Sequence, residues 1–253
     1  MRWASVWASF AVALAVLLMP VADAAARGKR RAIPDLRESA GRTVRPQAKR
    51  LIRLPLTVHI ATDEGDPVAS RTRIARWVRR ANRALRPAGL EVDVRSVRHL
   101  PAGWTSVTRW RQRRKLANYA PHDGTIHVFV IEELDTKRRR MFRRRIRGLH
   151  WRYRGLNRDL RSREYVVVTE GAPTTTFVHE LGHLFGLRHS TAINNIMCSC
   201  RRGMKVQFTD TQMRSIQTGV ERYAARQRRG GARSGIADRP VFRRSSFSSR
   251  DRR

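Results

Sequence analysis

The sequence predicts one α/β domain: a twisted mixed sheet with helices packed against it, followed by a small helical part. Three observations support this class. Apolar residues alternate or cluster over short strand-length runs at residues 54–61, 90–94, 125–131 and 165–169. Between the first two runs, Ile74, Trp77, Val78, Ala81 and Leu85 recur at helical spacing. Two further helical patterns follow the last run, at residues 177–185 and 213–224. Strands and helices mixed in this order build a sheet covered by helices. The chain has 253 residues, enough for one such domain with its own core once both ends are set aside.

Taken in order, residues 1–26 have the form of a signal peptide. Arg2 opens them, an apolar run centred on residues 11–18 breaks at Pro20, and Ala22-Asp23-Ala24 or Ala24-Ala25-Ala26 offers small residues for cleavage. The run is short for a membrane span, and Arg27 and Lys29-Arg30-Arg31 follow it. A secreted or periplasmic protein is therefore expected, with an uncleaved anchor as the alternative. No later stretch is apolar enough to span a membrane, so no transmembrane domain is expected in the mature chain. Residues 27–50 are basic, carry Pro34 and Pro46 and show no apolar period; they read as a flexible arm or a pro-segment.

The folded domain is expected over residues 51–227. In its first strand Leu56, Val58 and Ile60 alternate with Thr57 and His59. Asp66-Pro67 is expected to start the first helix, as N-cap and first-turn proline, and Pro87 and Gly89 to stop it. Leu90, Val92 and Val94 alternate with Glu91 and Asp93 in a second strand, and residues 104–118 read as a second helix. Residues 125–131 are apolar apart from His127, as in a strand buried on both faces. The arginine-rich residues 137–147 read as an exposed loop or a solvated helix. Near the end, Thr209 and Gln212 form a capping box, and Phe208 and Met213 occupy the places of a hydrophobic staple. Met213, Ile216, Val220, Tyr223 and Ala224 then share one helical face. Residues 228–253 are rich in Gly, Ser and Arg and are expected to be a disordered basic tail.

The chain carries 54 Lys+Arg against 20 Asp+Glu, a formal net charge of +34. Such a protein binds anionic surfaces or polymers non-specifically. Five of the 54 basic residues are lysine, and arginine occurs in every segment. That spread favours a bias of the whole chain over one evolved patch. No helix-turn-helix, zinc-finger or RNA-binding signature is present, so no specific nucleic-acid partner is expected.

The chemistry is concentrated in residues 178–190, V-H-E-L-G-H-L-F-G-L-R-H-S. His179 and His183 are four apart and share one face of a helix. Glu180 lies about 100° round that helix from His179. Gly186 can take a left-handed conformation and end the helix, after which the chain turns and returns His189. Three neutral imidazoles suit Zn²⁺ and leave a fourth position open for water, the arrangement of a catalytic rather than a structural site. Glu180 can touch that water without ligating the metal. Phe177, Val178, Leu181, Leu184 and Phe185 fall roughly opposite the histidines, so the helix has a face to bury.

The spacing H-E-x-x-H-x-x-G-x-x-H, followed by Asn194-Asn195-Ile196-Met197, resembles the metzincin metallopeptidases. The resemblance implies a metzincin-like catalytic domain with a small C-terminal subdomain. In that family Met197 would belong to the Met-turn, a hydrophobic floor beneath the zinc. It also implies that Gly148, Leu149, His150 and Trp151 form a short antiparallel edge strand that pairs with extended substrate. The tyrosine that follows this methionine in astacins is replaced by Cys198. Cys198 and Cys200 can form a local disulfide in an exported protein, or remain as thiols. The expected activity is zinc-dependent endopeptidase, with one ion, Glu180 as general base, and protein or peptide substrates acted on by a monomer. The rival reading is a basic exported module that docks on anionic polymers and whose metal site turns over little or nothing.

Overall fold

The computed structural model describes residues 51–139, 142–200 and 206–233. The expected signal peptide and arm lie outside these residues. The first strand, β1 (Ile52–Ile60), ends in a small hairpin of β2 (Thr62–Asp63) and β3 (Asp66–Pro67). Helix α1 (Arg71–Leu85) follows, then β4 (Leu90–His99), β5 (Ser106–Val107) and α2 (Trp110–Leu116). Next come β6 (Ile126–Ile131), β7 (Glu133–Arg139), β8 (Phe142–Arg145), β9 (Gly148–Arg152) and β10 (Glu164–Thr169). Two helices complete the described residues, α3 (Thr174–Leu184) and α4 (Asp210–Arg233).

The main sheet has five strands in the order β4-β1-β6-β10-β9. The first four are mutually parallel, and β9 runs antiparallel to β10 at the edge. The sheet is thus mixed, as the sequence predicts, and mostly parallel. Strands β6 and β10 are buried at every position, which is why they read as nearly unbroken apolar runs. On one face, side chains such as Val58, Val128 and Val166 pack with Trp77 of α1, Leu181 of α3 and Ile216 of α4. On the other, Phe129, Tyr165 and Val167 pack with Leu116, Leu134 and Tyr153. The side chains of α4 join the same apolar cluster as α1 and α3.

Four local expectations change. Asp66-Pro67 does not cap α1: it is a strand of the small hairpin, and Ser70 is the N-cap, accepting from Arg73 N–H. The second helix covers only Trp110–Leu116 and tightens into a 3-10 turn at Ala117–Tyr119. Within the arginine run, residues 137–139 and 142–145 are strand rather than loop or helix. They form most of the antiparallel pair β7–β8, in which Asp135 faces Arg145, and pairing across strands is invisible to a one-dimensional reading of charge. Finally, α4 continues to Arg233, so residues 228–233 are helical rather than part of a tail. The capping box did form: Gln212 N–H donates to Thr209 Oγ1 and Thr209 N–H to Gln212 Oε1. Among the described residues no helix is long and apolar enough to cross a membrane.

Candidate metal centre

Helix α3 presents His179 and His183 one turn apart and ends as its glycine requires. Gly186 takes φ +96°. Its N–H donates to His183 O and that of Leu187 to Gly182 O, a Schellman closure that reverses the chain. His189 is thereby returned to the other two: His183 Nε2 lies 3.2 Å from His179 Nε2 and 3.1 Å from His189 Nε2. One ring nitrogen from each of the three lies within 4.8 Å of the others, a set able to hold a metal ion.

The opposite ring nitrogens fix the tautomers. His179 Nδ1 sits 2.7 Å from the carbonyl of Ile196, and His183 Nδ1 2.8 Å from that of Leu187. A carbonyl only accepts, so each Nδ1 carries the proton and, in the neutral ring, each Nε2 is a bare lone pair. Lone pairs about 3 Å apart repel unless a cation lies among them. Burial lowers the His183 pKa, partly offset by its bond to Leu187, and the nearby His189 and His150 lower it further. The neutral ligand form is therefore favoured. Such carbonyl partners orient metal-binding imidazoles, and no sequence pattern names them in advance.

Two glycines carry close approaches. A Cβ on Gly182 would come within 2.5 Å of Met197 Sδ, so the fully buried Met197 packs directly on the helix between the two histidines. A Cβ on Gly148 would lie 2.7 Å from Glu180 Oε1 and 2.8 Å from its Cγ. The edge strand thus rests against the carboxylate, which is buried at 6% exposure. The loop that carries Met197 is wired to α4. Asn195 Oδ1 accepts from Met197 N–H at 2.8 Å, and its side chain exchanges two hydrogen bonds with the capping residue Gln212.

A cleft of about 790 Å³ opens over these groups, bordered by Gly148, Leu149, His150, Glu180 and the three histidines. Trp151 is not part of it. Its side chain lies on the other face of β9, 5.3 Å from the Tyr165 ring, because strand residues alternate faces. Cys198 and Cys200 are joined in a disulfide, and Cys200 borders the cleft. Arg145 and Arg147 stand at its rim. Sequence reasoning missed Gly148 and Gly182 as contact positions, although a glycine inside a helix is itself a signal of close packing. It also missed Glu164 and Arg226. Glu164 lies 2.7 Å from Arg226 Nε and 3.5 Å from His150 Nε2. Burial raises the Glu164 pKa, but His150 and Arg226 outweigh it and hold the group below its usual value, hence ionised.

No protein-family model and no curated protein sequence matches this chain. Among solved structures, it is similar to metalloproteinase-II from Bacteroides fragilis at 13% identity and a TM-score of 0.48, over 69% of this chain and 55% of that one. The chain therefore spans about half the length of that protein. It is also similar to archaemetzincin from Methanopyrus kandleri at 18% identity and a TM-score of 0.42, over 70% of this chain and 99% of that one.

Proposed function

We propose that this chain is an exported, metzincin-type zinc endopeptidase that hydrolyses peptide bonds with Glu180 as general base. The observation that carries the reading is the convergence of three imidazole Nε2 atoms at 3.1 and 3.2 Å, two of them lone pairs in the neutral ring because a carbonyl faces each Nδ1, beside Glu180 on the same helix. His179, His183 and His189 would hold the ion, and three nitrogen ligands with no carboxylate among them suit zinc. Zinc in such a site lowers the pKa of water and polarises a carbonyl.

The chain's own groups do the rest. Extended substrate pairs its backbone along β9, whose second edge is paired by no other strand among the described residues. Gly148 lets that edge approach Glu180. The carboxylate takes a proton from the attacking water and delivers it to the leaving nitrogen. Met197, packed on Gly182, supports the helix from below. Export predicts a mature amino terminus between Ala25 and Arg27, read by sequencing protein from the native host; an intact Met1 on cytoplasmic protein contradicts it.

The function is tested by zinc analysis together with cleavage of a generic unfolded protein, with and without chelator. About one zinc per chain and chelator-sensitive cleavage are expected. Glu180→Gln should keep the zinc and lose turnover by roughly 10²-fold or more. A zinc-loaded parent that cleaves no protein or peptide would replace this reading with the module that docks on anionic polymers.

A further inference from the structure

The edge strand β9 has two faces, and the cleft occupies one of them. Side chains alternate along the strand, so Gly148 and His150 lie toward the cleft while Trp151 lies on the other face, against Tyr165. On that other face a second cavity of about 450 Å³ opens between the end of β9, the loop that follows it and helix α2. Trp110 and Arg114 of α2 line it from one side, and Trp151, Arg152, Tyr153 and Arg154 from the other.

The Arg114 guanidinium at its centre is held in place. It lies 4.7 Å from the centre of the Trp110 ring and 5.4 Å from that of Tyr153, and its Nη2 donates to Tyr153 Oη at 3.0 Å. Tyr153 is itself buried and fixed: its Oη also accepts from the Asn157 N–H, and Gly155 packs on it with no room for a Cβ. A guanidinium over aromatic rings keeps its N–H donors in its own plane, where a carboxylate can take two of them at once. Arg114, Arg152 and Arg154 pair with no carboxylate among the described residues, whereas Arg73, Arg86, Arg145 and Arg226 do. Nor does any acidic residue among the described ones line the cavity. Trp110 and Leu156 add apolar surface at its mouth, 57% and 92% exposed. Three unpaired cations beside aromatic rings match a side chain with an apolar stem and a carboxylate end.

The place of the cavity names its partner. Extended substrate pairs along the free edge of β9 in the reading above, and its side chains alternate faces as those of β9 do. A substrate residue opposite Gly148 sits beside Glu180. The one opposite Trp151, three positions on and about 10 Å away, turns its side chain to the second cavity.

We propose that this cavity is a substrate subsite for a glutamate or aspartate side chain three or four residues from the cleaved bond, with Arg114 as the residue that sets the preference. The inference rests on the peptidase reading and names its substrate class, peptides with an acidic residue at that distance. No bond is made or broken in the cavity.

The test moves one glutamate along a peptide. All peptides share one cleavable sequence, and each carries a single Gln→Glu exchange at a different position on either side of the cleaved bond. The zinc-loaded chain gives the ratio of kcat/KM for each Glu peptide to that for the Gln parent peptide. Net charge alone raises this ratio by a similar small factor at every position. The subsite predicts a peak of about five- to tenfold above that level, three or four residues from the bond on one side. Arg114→Gln should remove the peak. Arg79→Gln, which takes the same charge from the exposed face of α1, should keep it. Binding supplies a readout without turnover: fluorescence anisotropy of the labelled peptides on zinc-loaded Glu180→Gln should show the same dependence on position.

A profile with no peak overturns the subsite and leaves the peptidase reading intact, because the charge of the whole chain then explains any gain. A peak that survives Arg114→Gln also overturns it. A parent that cleaves nothing with zinc bound removes the peptidase reading. The binding profile then decides the cavity, and equal affinities at all positions overturn it. Should Arg114→Gln fail to fold, Trp110→Ala decides. Its loss leaves the guanidinium without its nearer ring, so the peak should fall by roughly twofold or more. An unchanged peak in folded Trp110→Ala refutes the site.

Discussion

His59 and His127 lie 3.0 Å apart on neighbouring strands, and His183 lies 3.2 and 3.1 Å from His179 and His189. The spacings are alike and the chemistry is opposite. In the first cluster His127 Nε2 faces Asp123 Oδ1 and the Pro121 carbonyl, so it carries the proton and its Nδ1 accepts from His59 Nε2–H. Donors and acceptors are matched, both rings are buried, and His59 stacks on Phe129. In the second cluster the Nδ1 atoms of His179 and His183 are taken by backbone carbonyls, and bare Nε2 atoms face one another across the cleft. The bonds shown within the first are matched; the second is a set that a cation among its Nε2 atoms would complete. Distance between imidazoles does not distinguish the two clusters, whereas the partner of the far nitrogen does.

The largest effect that can break this comparison is loss of a ligand. His183→Ala should lower zinc from about one per chain to near zero and abolish cleavage, because two imidazoles make an incomplete site. His59→Gln should leave both intact. Metal analysis and a cleavage assay on the two proteins check this, and zinc loss in His59→Gln would erase the distinction.

The next effect, acting on the open cluster, comes from Gly148→Ala. The new Cβ would meet Glu180 Oε1 at 2.7 Å. Zinc should stay while kcat falls by about tenfold or more, since a displaced catalytic group costs rate steeply. Steady-state kinetics on zinc-loaded protein read this, and an unchanged kcat would mean that the edge strand yields freely.

The closed cluster should reveal itself through pH. Burial, with the nearby His127 and Arg98, lowers the His59 pKa from 6.5 to about 3. A group whose folded value is depressed contributes stability above its unfolded value and loses it as pH falls. The metal-free protein should therefore lose stability progressively from pH 6.5 toward 3, with a slope approaching roughly 1.4 kcal/mol per pH unit from this one proton. His59→Gln should flatten the slope. Melting curves across this window test it, and superimposable slopes for the two proteins would place the acid sensitivity elsewhere.

The smallest expected effect is at Met197. Met197→Leu conserves much of the volume against Gly182 and should cost under about 1.5 kcal/mol, with zinc retained. Denaturant unfolding measures it, and a loss of zinc would show that the sulfur side chain positions the histidines more tightly than packing alone implies.

What was legible in the sequence follows from range. His179, Glu180 and His183 are related by a single helical turn, so spacing alone places them on the helix, and Gly186 announces the reversal that returns His189. The buried strands β6 and β10 announce themselves by composition. The Ile196 carbonyl behind His179, the Glu164–Arg226 pair beside His150 and the Gly148 contact with Glu180 depend on strand order and on where α4 packs in the core. Those are tertiary facts with no local pattern. His59 and His127 read as ordinary strand residues because their partnership is made by parallel pairing of β1 with β6, 68 positions apart in the chain.

The most direct measurement is a long-range proton–nitrogen NMR spectrum of the histidine side chains, recorded with one equivalent of zinc and again after chelation. The account expects Nδ1–H tautomers with metal-bound Nε2 at His179 and His183, a metal-dependent shift at His189, and signals from His59 and His127 that do not move. Zinc that shifts the His59 and His127 nitrogens, or that leaves the cleft histidines unchanged, would contradict it.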